Sequence, residues 1–186
     1  MKLLLTSFEA FDNRATNVTS LISDKIKNNI NGIYIDKINL PVALHSSFNI
    51  VKNYIETNNP DLIILTGEAA SRSKISIEIK AKNIVNNKLV LEDEVDLSNQ
   101  IIVENGPNII YSSFPTVEAL SQVLSKNIPI ELSLDAGGYI CNALYYQVQH
   151  RYPNIPCVFI HFPLPSEELS LDKMVEALNI VITSLI

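Results

Sequence analysis

An α/β fold is what this sequence predicts, and three observations predict it. Apolar strand-like runs alternate with segments of helical periodicity along the whole chain. The run DLIILTG, Asp61–Gly67, is hydrophobic at successive positions, as a strand covered on both faces of a parallel sheet must be. The chain has 186 residues, 47% of them apolar and 18% charged, which suits one globular domain with a sizeable core.

The elements follow in order. Lys2–Ser7 is a short apolar strand ending in a polar loop. From Asn17 to about Ile30, the spacing of Leu21, Ile22, Ile26 and Ile30 predicts a helix. Ile33, Ile35 and Ile38 mark a second strand, and Phe48, Val51 and Ile55 a second helix, before the buried strand closed by Gly67. KISIEIK alternates strictly, with Ile75, Ile77 and Ile79 on one face and Ser76, Glu78 and Lys80 on the other. About Asn86 to Asn108 is polar, acidic and turn-rich, an excursion with at most a hairpin. Pro115 introduces a helix from about Thr116 to Lys126. Then come the strand IPIELSL, a helix after Gly137-Gly138, the strand PCVFIHF, and a last helix from about Ser166 to Ile186. There is no internal repeat or linker, so 1–186 reads as a single domain.

Composition removes several functions. Net charge is −6 with scattered basic residues, which argues against a nucleic-acid surface. No apolar run is long enough to cross a bilayer, and the start of the chain lacks a secretory signal, so no membrane partner and a cytoplasmic location are expected. The two cysteines, Cys141 and Cys157, form no Cys-x-x-Cys pair, so neither a metal site nor a disulfide framework is expected.

The chemistry concentrates around SLDAGGYICN. Two glycines permit a tight strand-to-helix turn, which places Cys141 in the first helical turn, where unpaired N–H groups favour a thiolate and could hold an oxyanion. A free cysteine is also an ordinary small core residue. Cys157, inside an apolar strand, reads as core. A nucleophilic thiol needs a base and a group to orient it. His150 ends the Cys141 helix, and His45 stands at a helix head as a surface residue. His161 closes the strand CVFI, at the carboxyl end where ligands gather in open sheets, although a core histidine fits the same place. Glu78 stands mid-strand, where glutamate is disfavoured, either as the orienting acid or on a solvated edge-strand face. Asp135 and Glu9 are its rivals by position.

These residues resemble the pyroglutamyl peptidase type I (pyrrolidone-carboxylate peptidase) family of cysteine peptidases. GEAASRSKISIEIKAKN is similar to the family's glutamate segment at Gly67, Arg72, Ser73, Ile75, Glu78, Ala81 and Asn83. SLDAGGYICN is similar to its cysteine segment at Ser133, Ala136, Gly137, Tyr139, Cys141 and Asn142, and FIHFP to its histidine segment at Phe159, Ile160, His161 and Pro163. LTSFEAFDNRATN resembles the substrate loop through Thr6, Phe8, Glu9, Phe11 and Asn17. The resemblance implies a three-layer α/β/α sandwich with a mixed, mostly parallel sheet of the phosphorylase/hydrolase-like kind. It implies an omega-peptidase that removes N-terminal pyroglutamate from peptides through Cys141, His161 and Glu78, with no metal or other cofactor, commonly as a cytosolic homotetramer.

A neutral lactam needs flat apolar walls and a few hydrogen-bond groups, not a carboxylate to catch an ammonium. Phe8, Phe11, Tyr139 and Ile140 are the expected walls, with Asn17 and Lys88 as further substrate-binding candidates. The chain departs from the family pattern at Ser7, Ala10, Asp12 and Asn13 in the loop, at Ile79, and at Lys88, where family members carry an arginine. Asp135 adds a carboxylate that would raise the thiol's pKa if close. A silent lactam- or peptide-binding protein, a cysteine hydrolase with a shifted substrate and a nucleoside-handling protein are the alternatives.

Overall fold

The computed structural model describes residues 1–12, 14–85 and 100–184. In chain order the elements are β1 (Lys2–Phe8), α1 (Val18–Lys25), β2 (Asn29–Ile30), β3 (Ile33–Leu40), α2 (Leu44–Asn58), β4 (Leu62–Glu68), β5 (Ile75–Glu78), β6 (Lys80–Lys82), β7 (Ile109–Tyr111), α3 (Thr116–Leu124), β8 (Ile130–Ser133), α4 (Ile140–Arg151), β9 (Cys157–Phe162) and α5 (Leu171–Thr183).

Seven strands form one sheet in the order β2-β3-β1-β4-β9-β5-β8, and β6 and β7 pair separately. The pairings from β3 through β1 and β4 to β9 are parallel, as is β5 with β8; β2 against β3 and β5 against β9 are antiparallel. The period of two decides which side chain serves which layer. Leu3, Leu5, Ile64, Ile75, Ile77 and Ile160 join a core with residues of α1, α3 and α5. Their alternates Leu4, Ile63, Leu65 and Phe159 join a second core with α2 and α4. Continuous apolar runs such as LIIL therefore feed two cores at once, and the result is the expected three-layer α/β/α arrangement.

Three expectations are corrected. The first helix ends at Lys25, and Asn29–Ile30 belong to a hairpin. Its turn is Asn31-Gly32, with φ of 50° and 85°, a pair that tolerates the left-handed region a tight hairpin requires. The last helix starts at Leu171, because Ser170 caps it by accepting from the Lys173 N–H at 3.3 Å. Finally, KISIEIK is not a solvated edge. Its strand ends at Glu78, lies between β9 and β8, and buries Ser76 and Glu78 completely on the α4 side. Lys80–Lys82 already belong to the small second sheet.

Candidate active site

Strand register brings the candidate acid and the candidate base together. β5 runs antiparallel to β9 with Glu78 opposite Phe159 and Ser76 opposite His161, so Glu78 and His161 are diagonal neighbours on one face. Both point to the α4 layer, since Ile77 and Ile160, the alternates, enter the other core. His161 Nδ1 lies 2.8 Å from Glu78 Oε1. An ionised carboxylate only accepts, so Nδ1 carries the proton and Nε2 is left as the ring's acceptor.

The thiol arrives from above. After β8 the chain turns at Gly137, whose φ is +81°, while Asp135 accepts the Gly137 N–H at 3.1 Å. Tyr139 is the N-cap of α4 and makes no side-chain cap, so Cys141, the second helical residue, sits among open N–H groups. Asn142 anchors this helix start: it accepts from the Lys82 N–H at 2.9 Å and donates to the carbonyls of Lys82 and Ile84 at 2.9 and 2.8 Å. The Tyr145 hydroxyl donates to the Glu78 carbonyl at 3.0 Å. Gly67, the register partner of His161 on β4, lies beneath the sulfur: a Cβ there would come within 2.9 Å of Cys141 Sγ.

The electrostatics correct one expectation. The helix start was expected to lower the Cys141 pKa, yet burial and then the Glu78 charge push the thiol up to about 12, outweighing its own helix N–H and Arg72. Cys141 as a residue is half-buried, but its thiol group is desolvated. Burial likewise lowers His161 below its ordinary value, against the pull of Glu78. Burial alone would raise Glu78, but the His161 hydrogen bond, the imidazolium charge once that ring is protonated in acid, and the charge of Arg72 hold it low. At rest, then, the thiol and imidazole are neutral and the carboxylate is ionised. The rivals for the acid fall away: Glu9 is exposed, and Asp135 is paired with Lys82 at 2.9 Å. The carboxylate that acts on the thiol is Glu78, not Asp135.

A cavity of about 530 Å³ opens over Cys141 and His161. Phe8, Phe11, Tyr139 and Ile140 line it as expected. Phe8 is also packed in the core, Phe11 is half-buried, and Tyr139 is exposed at the rim. Asn17 lines it too, but its amide is engaged elsewhere: Oδ1 accepts from the Thr19 N–H at 3.0 Å and from the Thr19 hydroxyl at 2.7 Å, and Nδ2 donates to the Glu9 carbonyl at 3.2 Å. Its contribution is to shape the loop. Lys88 and Asn13 lie outside the described residues. His45, His150 and Cys157 line no part of the cavity, and Cys157 is buried core.

Sequence reasoning gave no role to two groups found here. Arg72 donates from Nη1 to Glu78 Oε1 at 2.6 Å and from Nη2 to the Asp135 carbonyl at 2.8 Å, tying the carboxylate to the loop that carries the cysteine. Glu68, buried in the cavity wall, pairs with Arg14. The usable signal was GEAASR, two opposite charges straight after a buried strand end. Among the described residues, no three His, Cys, Asp or Glu side chains gather as metal ligands do.

Comparison with known proteins gives a consistent result. A family model described as pyroglutamyl peptidase matches residues 1–186. A pyrrolidone-carboxylate peptidase of Brachyspira hyodysenteriae is 32% identical over 98% of this chain and 97% of its own length. That of Thermosipho melanesiensis is 30% identical over 97% of this chain and 91% of its own. The crystal structure of pyrrolidone carboxyl peptidase from Fervidobacterium islandicum superposes with a TM-score of 0.93 at 26% identity, covering 100% of this chain and 98% of that one.

Proposed function

The chain belongs to the pyroglutamyl peptidase family, and from that premise we propose that Cys141, His161 and Glu78 are the triad with which it removes an N-terminal pyroglutamyl residue from peptides. It is a cysteine omega-peptidase, a hydrolase. The observation that carries the residue assignment is the 2.8 Å contact from His161 Nδ1 to Glu78 Oε1 beneath a cavity shared with Cys141.

The steps follow from the charges. Sγ attacks the pyroglutamyl carbonyl carbon as His161 Nε2 takes the thiol proton, and Glu78 stabilises the imidazolium so formed. The tetrahedral oxyanion is held by open N–H groups at the start of α4. Collapse breaks the C–N bond, and the leaving amine takes the proton from His161. A thioester remains on Cys141. Water then attacks it while His161 accepts the water's proton, and the thiol leaves with that proton as free pyroglutamate departs. Phe8, Phe11, Tyr139 and Ile140 supply the apolar walls for the lactam. Asn17 shapes their loop, and Lys88 is kept as a candidate contact. Residues 1–186 act as one domain, and the family likeness supports a cytoplasmic homotetramer; no described helix is long and apolar enough to cross a membrane.

The test is hydrolysis of a fluorogenic pyroglutamyl amide in reducing buffer, with prolyl and free-amine glutamyl amides as controls. The expected result is release from the pyroglutamyl amide alone. Turnover no greater than that of Cys141→Ala would refute the reading in favour of a silent binding protein.

A further inference from the structure

A site for a neutral lactam has no use for a bare carboxylate, yet Glu68 stands in the wall of this cavity with its side chain 1% exposed. Two partners hold it. Its Oε2 accepts the N–H of Val18, the first residue of α1, at 2.9 Å, and its Oε1 accepts from Arg14 Nη1. Arg14 comes from the loop after β1 and also lines the cavity. Its guanidinium carbon lies 5.8 Å from the centre of the Phe11 ring, within reach of a cation–π contact. One side chain therefore covers the carboxylate and braces an aromatic wall.

The other charged groups around the cavity do not take over this task. Arg72 spends Nη1 on Glu78 and Nη2 on the Asp135 carbonyl. Asp12 is exposed to solvent, where its charge is screened. The balance of the inner wall rests on Arg14 against Glu68. The charge in question matters because pyroglutamyl and prolyl residues present the same five-membered ring. They differ in that one is a neutral amide and the other a cationic amine.

We propose that the Arg14–Glu68 pair is a specificity-determining element that cancels the charge of the cavity wall, so that a neutral lactam is accepted and a cationic five-membered ring is refused. This rests on the pyroglutamyl reading above. With Arg14 gone, the Val18 N–H still holds Glu68 in place, and the uncovered carboxylate attracts the cation. A neutral wall, which offers a cation nothing in exchange for its lost hydration, is thus replaced by one of complementary charge.

The test compares binding of 2-pyrrolidone, the neutral ring, with binding of pyrrolidinium, the cationic ring, by ligand-observed NMR titration, alongside kcat/KM for the pyroglutamyl and prolyl amides. Four proteins are used: wild type, Arg14→Gln, Glu68→Gln and the double variant. Wild type prefers the lactam. Arg14→Gln moves the preference toward the cation by about tenfold or more. Glu68→Gln, which leaves Arg14 unpaired, moves it the other way, and the double variant returns close to wild type. A lactam-to-cation ratio within about twofold of wild type in both single variants overturns the proposal. If Arg14→Gln fails to fold, the Glu68→Gln shift decides alone, and an unmoved ratio there overturns it equally. The outcomes separate from the parent reading: a wild type that cleaves no pyroglutamyl amide sinks the peptidase assignment, while the ring-binding ratios still report on the pair.

Discussion

Gly67→Ala is the substitution the geometry condemns most directly. Its Cβ would lie 2.9 Å from Cys141 Sγ and 2.9 Å from both Cε1 and Cζ of Phe159. Neither neighbour yields easily. The cysteine is the second residue of a helix pinned by Asn142, and Phe159 is fully buried, 4.7 Å from the His161 ring centre and 5.9 Å from that of Tyr145. Overpacking of this kind costs about 1–3 kcal/mol, which for a chain of this size lowers Tm by about 2–12 °C. The larger effect is on turnover, because relief must come from moving the nucleophile or the ring under the base. A displacement near 1 Å is worth about 10²-fold in rate.

Thermal unfolding and kcat on the pyroglutamyl amide are measured together, with Gly106→Ala as the comparison. At Gly106 a Cβ would meet the Tyr146 hydroxyl at 2.6 Å, outside the cavity, so Gly106→Ala should lose stability while kcat holds. Adding Phe159→Leu to Gly67→Ala should recover part of the Tm and little of the rate, since the clash with sulfur remains. A Gly67→Ala protein with kcat within about twofold of wild type and an unchanged Tm would show that the thiol does not sit over Gly67.

Alkylation of Cys141 by iodoacetamide in the ligand-free protein should climb with pH through about pH 9 without a plateau, because burial and Glu78 push the thiol up to about 12. Cys157, buried with its own pKa raised, should stay unlabelled, and peptide mass spectrometry that found a plateau below about pH 7 or equal labelling would refute this. Glu78→Gln should lower kcat/KM by about 10²- to 10⁴-fold with the fold retained, since an amide cannot stabilise the imidazolium. The same variant tests acid stability: both folded pKa values lie below the ordinary ones, so the stability they contribute is present above those ordinary values and is lost as pH falls through the folded ones. Urea midpoints of wild type should therefore fall as pH drops below about 6.5, for His161, and again below about 4.5, for Glu78. The second fall should be smaller in Glu78→Gln, with the remainder coming from Asp135 and Glu56, whose carboxyls the Lys82 and Lys52 hydrogen bonds also hold low, and an undiminished fall would place the acid effect elsewhere.

The layers were legible because they follow from local periodicity. Leu3, Leu4 and Leu5 cannot all face one way in a strand, so a run of them requires a core on each side. Glu78 was legible as an anomaly, a charge where a strand interior rejects one, and His161 as a polar residue ending an apolar strand. The misread hairpin had two compatible patterns: Ile26 and Ile30 fit a helix, and the turn signal of Asn31-Gly32 was stronger than their spacing. What no local pattern could carry are contacts between distant segments. Arg14 meets Glu68 across 54 residues, and the sulfur meets the Gly67 backbone only once α4 is docked on the sheet.

The thiol's pKa belongs to that last class, and it changes how the site works. A helix start acting on an exposed cysteine would store a thiolate. Here the desolvation of the sulfur outweighs those dipoles, and the charge that acts on it most strongly, Glu78, is negative. Under the proposed mechanism the negative charge is needed only in passing, first on sulfur and then on the carbonyl oxygen. Oxygen rather than sulfur is the atom that the open N–H groups of α4 then hold. The buried carboxylate raises the thiol, but it also stabilises the imidazolium that appears at the same moment, so one interaction opposes the resting thiolate and favours the reacting pair. The His161 hydrogen bond, helped by Arg72 on the same Oε1, keeps that carboxylate ionised in a place where burial alone would protonate it. The arrangement stabilises charges that arise together during attack and disfavours either one alone. The proposed role of Cys141 is therefore compatible with a resting pKa that lies, like that of Cys157, well above the ordinary value.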